Sequence, residues 1–173
     1  MIPNPHKSSL EGLEPIGAKT LSASQVASML DGVQMFRDFE WAQIEALSAY
    51  LQMYRALPGM VLFREGDHGD FMCIVLEGKL EIHKEDHLGV DKTVATVSPG
   101  RSLGEMAMVD GEARSATAIV VGQATLAVLS NENFQKITRD KPALAVKILL
   151  KVAQLLSQRL RHTSGILVDY LEK

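Results

Sequence analysis

At 173 residues the chain is long enough for one globular core with appended helices and short for two independent domains. With 46% hydrophobic and 23% charged residues it has the composition of an ordinary folded domain, and its net charge of −3 is the wrong sign for a protein that binds DNA or RNA by neutralising phosphates. A single cysteine, Cys73, excludes an intrachain disulfide, a Cys-rich zinc site and a four-thiolate cluster, which points to a reducing, cytoplasmic compartment.

The opening stretch, MIPNPHKSSLEGLEPIGAKTLSAS, has no apolar core of the signal-peptide kind, and no apolar run in the chain approaches the roughly 20 residues of a membrane helix. Its Pro, Gly and Ser content makes residues 1–24 a flexible leader, with docking of Leu10, Leu13 and Ile16 as a short helix the alternative. Over residues 25–56, apolar positions fall at helical intervals (Val26, Met29, Leu30, Val33, then Ile44, Leu47, Leu51) with a break near Asp38. Two short N-terminal helices are expected there.

After Pro58-Gly59 the period changes. Short apolar runs follow at Val61 to Phe63, Phe71 to Leu76, Leu80 to Ile82, Val94 to Val97, Ala116 to Val121 and Thr125 to Leu129. Between them lie turn-rich segments such as Glu77-Gly78, Ser98-Pro99-Gly100 and Gly122-Gln123. Residues 57–130 therefore read as an antiparallel sandwich, roll or barrel of short strands. Residues 131–173 return to helix: a short one capped by Asn131, then a long one from Pro142 with no breaker before Gly165.

The long helix carries a second pattern. Leu149, Ala153, Leu156, Leu160, Thr163, Leu167 and Tyr170 alternate by fours and threes, the spacing of a coiled-coil seam. Ala143 to Leu150 is apolar on nearly every side and is expected to pack on the chain's own roll. Beyond Ser157 the apolar residues thin to one stripe, which predicts a parallel homodimer through this helix.

Residues 99–118, PGRSLGEMAMVDGEARSATA, form a long connection holding three glycines, a short apolar run and two ionisable residues, Glu105 and Arg114. Residues 105–109 suit one helical turn beginning after Gly104, and an arginine beside a serine suits phosphate oxygens. A carboxylate beside a phosphate repels it, so Glu105 fits only by facing another part of the ligand, such as a ribose hydroxyl. Glycines in such a loop also serve turns, and an Arg–Glu pair is also read as a solvated ion pair. Without a ligand, a site that buries Arg114 is expected to leave an uncompensated charge unless water or Glu105 offsets it.

The string GRSLGEMAMVDGEARSATA resembles the phosphate-binding cassette of the cyclic nucleotide-binding domain family, which includes kinase regulatory subunits and the bacterial catabolite activator protein. FREGDHGDFMCIVLEGKLEI upstream is similar to that family's Gly-punctuated strand pair, and the likeness runs from about Phe36 to Ser164. It implies a double-stranded β-helix, or jelly roll, with N-terminal helices and a long C-terminal helix. It also implies a ligand site in which Arg114 and Ser115 meet the cyclic phosphate, Glu105 accepts from the ribose 2′-hydroxyl, and Gly104, Met106 and Ala116 line the pocket. Thr163 and Ser164 resemble a Thr-Ser pair that reaches the base in the catabolite activator protein, one residue from each subunit. The implied ligand is cAMP, with cGMP the alternative, and no cofactor is required.

Only nine residues follow Ser164, so no DNA-reading domain is expected, and the module is read as a sensor acting on an unidentified downstream protein. His83 and His87 lack the companions of a metal site, and Cys73 in an apolar run reads as buried and inert, so no enzyme is expected. The competing reading is an interaction scaffold that keeps the roll without binding nucleotide.

Overall fold

A computed structural model describes residue 10, residues 12–17 and residues 21–171, with side chains through residue 168; the rest of the leader and the side chain of Tyr170 lie outside the described residues. The elements are β1 (Glu14–Ile16), α1 (Ala23–Asp31), a 3-10 turn (Gln34–Phe36), α2 (Trp41–Ser48), β2 (Gln52–Ala56), β3 (Val61–Phe63), β4 (Phe71–Glu85), β5 (Asp91–Val97), β6 (Ser102–Leu103), α3 (Glu105–Asp110), β7 (Thr117–Ser130), α4 (Asn131–Asp140) and α5 (Pro142–Leu171). The strands form a jelly roll with helices before and after it.

The N-terminal third departs from expectation. Residues 14–16 are a strand rather than leader or helix: β1 pairs antiparallel with β2, and Leu13 beside it is buried in the roll. Helix α1 starts at a capping box, in which Ser22 and Gln25 satisfy each other's backbone N–H groups. Helix α2 stops at Ser48, and residues 52–56 leave the helical pattern to pair with β7 along their whole length. Their alternation sends Met53 to one side and Ala56 to the other, a period of two that the helical spacing upstream masks.

Strands β4 and β7 are the spine of the sheet, whose order is β1-β2-β7-β4-β5, with β3 on β7 and β6 on β4. Glu77-Gly78 and Gly122-Gln123 read as turns in sequence, yet they lie inside these two long strands. The β4–β7 register shifts between Val75 and Leu80, so the pair bends there without separating. Gly78 has φ +84°, and a Cβ on it would come within 2.3 Å of the Gln123 carbonyl oxygen. Only glycine allows the two backbones so close.

Two cores flank the sheet. Phe71, Cys73, Val75 and Leu80 of β4 face the roll interior with Leu126 and Val128 of β7. Met72 and Ile74 face the other way, onto α1, α2 and α5. Burial on both faces explains why Phe71 to Leu76 is an unbroken apolar run.

Ser130, not Asn131, caps α4, its Oγ accepting from the Asn133 N–H. Helix α5 runs through Gly165. It buries Leu144, Ala145, Ile148 and Val152 against the helix-side core, while Val146, Leu149 and Leu150 are exposed. Ala143 to Leu150 thus packs on the chain by one face only, because one cylinder can lay one stripe on a flat layer. Lys151 pairs with Asp38 at 2.6 Å, and Lys147 donates to the Asp38 carbonyl and to Gln43, tying α5 to the N-terminal helices.

Candidate functional site

The connection between β5 and β7 is built around left-handed glycines. Gly104, at φ +80°, precedes α3, and Gly111, at φ +72°, ends it with its N–H on the Ala107 carbonyl. The chain then returns under the Arg64–Asp67 turn, where the Arg114 N–H donates to the Asp67 carbonyl and the Gly66 N–H to the Arg114 carbonyl. Backbone bonds on both sides therefore fix where the Arg114 side chain begins.

Arg114 is 3% exposed. Its Nη1 donates to the Gly104 carbonyl at 2.8 Å and its Nη2 to the Phe71 carbonyl at 2.7 Å, while Nε has no partner. Burial lowers its pKa from the usual guanidinium value. The hydrogen-bonding groups that offset its charge are these two carbonyl oxygens rather than Glu105, which pairs with Arg159. A guanidinium carries five N–H groups, so three are left without a hydrogen-bond partner among the described residues. Cys73, inside the roll, has its thiol pKa pushed up by burial, which keeps it protonated.

Glu105, the first residue of α3, is 1% exposed. Its Oε1 accepts from Nη1 of Arg159 on α5, whose Nη2 donates to the Ser102 carbonyl at 2.6 Å; its Oε2 has no partner. Arg159 therefore neutralises the carboxylate that would otherwise repel a phosphate, and one carboxylate oxygen stays available to a hydroxyl. The Ser102 hydroxyl also lacks a partner; by register Ser102 sits opposite Ile74, which belongs to the helix-side core.

A cavity of about 470 Å³ opens among these groups. Gly104, Glu105, Met106, Arg114, Ser115 and Ala116 all line it, so six expected residues meet in one place. Ser115 is exposed with its hydroxyl on the Met106 sulfur, and Met106 itself is partly uncovered. Thr163 and Ser164 are exposed on α5 and do not line the cavity of the single chain; Arg159 and His162, three residues apart on one helix face, do. Arg159, His162, Arg101 and Phe63 were not legible as site residues. Arg159 is 54 residues from Glu105 in sequence and stands among Gln158, Arg161 and His162, which read as the solvated flank of a helix.

A sequence profile described as the cyclic nucleotide-binding domain matches residues 55–141, half of the chain. The chain belongs to the cyclic nucleotide-binding domain family. A cyclic nucleotide-binding domain from Methylobacillus flagellatus KT, known from its crystal structure, superposes with a TM-score of 0.80 at 28% identity, covering 94% of each chain. The cyclic AMP receptor protein of Thermus thermophilus is 29% identical over 133 residues, which are 77% of this chain and 60% of that protein. The chain thus spans less than two thirds of that relative. Lysophospholipase nte1 of Aspergillus oryzae is 29% identical over 160 residues, 90% of this chain but 9% of that protein. No helix among the described residues is long and apolar enough to cross a membrane.

Proposed function

We propose that this cyclic nucleotide-binding domain is a cytoplasmic, non-catalytic sensor that takes cAMP in preference to cGMP and signals through α5 to a separate protein, not directly to DNA. One observation carries the reading: Glu105, a buried anion at the start of α3, and Arg114, a buried cation just past its end, line one cavity, and each keeps an unpartnered polar atom. A buried polar atom without a partner is costly, and a sugar phosphate supplies partners of both kinds. Arg114 with Ser115 takes the cyclic phosphate, and Glu105 Oε2 the ribose 2′-hydroxyl. Gly104, Met106 and Ala116 complete the wall, and no cofactor or metal is needed for binding.

The base is assigned to Thr163 and Ser164, one from each subunit of a homodimer joined through α5. Their exposure in the single chain, beside the cavity-lining His162, and the uncovered Leu149, Leu160 and Leu167 support that arrangement. The preference for cAMP rests on this Thr-Ser pair alone. The scaffold reading draws on a specific observation too: Arg159 already pairs with Glu105, and two carbonyls already hold Arg114, so both charges are offset within the chain itself.

Hydrogen exchange tests the proposal. Added cAMP is expected to slow exchange in residues 104–116 and in Leu156 to Ser164, because the ligand bridges the roll and α5. Protection of neither segment favours the scaffold.

A further inference from the structure

The Arg114 guanidinium lies in a corner between two aromatic rings. Its Cζ is 4.2 Å from the Phe63 ring centroid and 4.5 Å from that of Phe71, and the rings stand edge to face, 6.1 Å apart at 65°. Phe71 acts twice, since its carbonyl also accepts from Nη2. Both rings belong to the roll-interior core, Phe63 at the end of β3 and Phe71 at the start of β4. Two glycines also approach it closely: a Cβ on Gly104 would lie 2.5 Å from Nη1, and one on Gly69 would lie 3.2 Å from Cζ. A cation over an aromatic face is attracted by the ring quadrupole, more strongly where water is excluded. Leucines would be equally apolar but would not fix the plane of the guanidinium.

We propose that Phe63 and Phe71 are positioning residues for Arg114. Their rings hold the guanidinium in one orientation before any anion arrives, so that binding does not have to order it. Phe63, which also lines the cavity, sets the affinity for the phosphate of a cyclic nucleotide. This rests on the sensor reading of the same site.

The test compares Phe63→Leu, which keeps apolar bulk, with Phe63→Tyr, which keeps the ring face. In nitrogen-15 spectra of the ligand-free protein, wild type and Phe63→Tyr are expected to show a ring-shifted Arg114 Nε–H and separate, slowly rotating Nη signals. Phe63→Leu is expected to average them. In titration with cAMP, Phe63→Leu should bind roughly 3- to 30-fold more weakly, the range of a desolvated cation–π contact, while Phe63→Tyr stays near wild type. An unchanged guanidinium spectrum and affinity in Phe63→Leu overturn the proposal. Equal weakening in both variants also overturns it, because that is a packing effect. A wild type that binds no cyclic nucleotide sinks the sensor reading instead, and the ligand-free spectra then decide the positioning claim alone.

Discussion

Arg114 and Glu105 show how one loop holds opposite charges out of water: each is offset by its own partners. Arg114 leans on the carbonyls of Gly104 and Phe71, and Glu105 on Arg159 of α5. Arg114→Leu is expected to weaken cAMP binding by roughly 2–4 kcal/mol, the loss of a charged fork to an anion, as read by calorimetry. Unchanged affinity would remove Arg114 from the site. Arg159→Ala strands the Glu105 carboxylate, and because Arg159 is half exposed the cost in stability is about 1–3 kcal/mol, less than for a fully enclosed pair. Adding Glu105→Gln should recover most of that loss in denaturant unfolding, whereas additive losses would mean the pair does not act as a unit. Away from the cavity, the Asp91 carboxylate at 2.7 Å raises the His83 pKa, with Glu81 helping. The charged clasp therefore contributes fully below the ordinary imidazole value of about 6.5 and is lost as pH rises through the higher folded value. A ring-proton titration of His83 with its midpoint at or below the ordinary value would contradict this. At this scale the cassette was legible because its spaced glycines, Gly-Glu pair and Arg-Ser-Ala step match one family's register, where residue types alone also fit a solvated turn; Arg159 was not, because only the return of a distant helix brings it in.

At the scale of elements, the register shift of the β4–β7 pair between Val75 and Leu80 coincides with a close approach of the two backbones at Gly78. Gly78→Ala combines a left-handed backbone with a clash against the Gln123 carbonyl, and it is expected to cost roughly 1–3 kcal/mol or more in thermal or denaturant unfolding. Gly89→Ala is the control: its φ is +76°, but nothing lies within 4 Å of the new Cβ, so the cost should be smaller. Equal costs would mean the close approach at Gly78 does not matter. Strand type was legible from the change of period after Pro58, but strand length was not. A glycine inside a bulged strand and a glycine in a turn carry the same local signal, and only the partner strand separates them. The same limit applies to residues 52–56, where pairing with β7 overrides the helical spacing before it.

At the scale of the molecule, the sheet separates a closed interior from a helical layer, and the site sits where α3 and α5 meet the edge of both. Helix α5 thus touches the Glu105 carboxylate through Arg159 and presents a second apolar face to solvent, with Leu160 69% exposed. That face was half legible: the seam spacing stood out, but the exposure of Val146, Leu149 and Leu150 did not, because an all-apolar stretch does not say which side is covered. If α5 pairs with a second copy, light scattering should give a dimer for the wild type and a monomer for Leu160→Glu. A monomeric wild type would contradict the assignment of Thr163 and Ser164 to a shared base site. Titration calorimetry with cAMP and cGMP, using 5′-AMP as the control that lacks the cyclic phosphodiester, asks whether the cavity receives a cyclic nucleotide at all. Binding of cAMP is expected at about −8 kcal/mol or stronger, with weaker binding of cGMP and much weaker binding of 5′-AMP. No heat with either cyclic nucleotide, under conditions where the protein is folded, would contradict it.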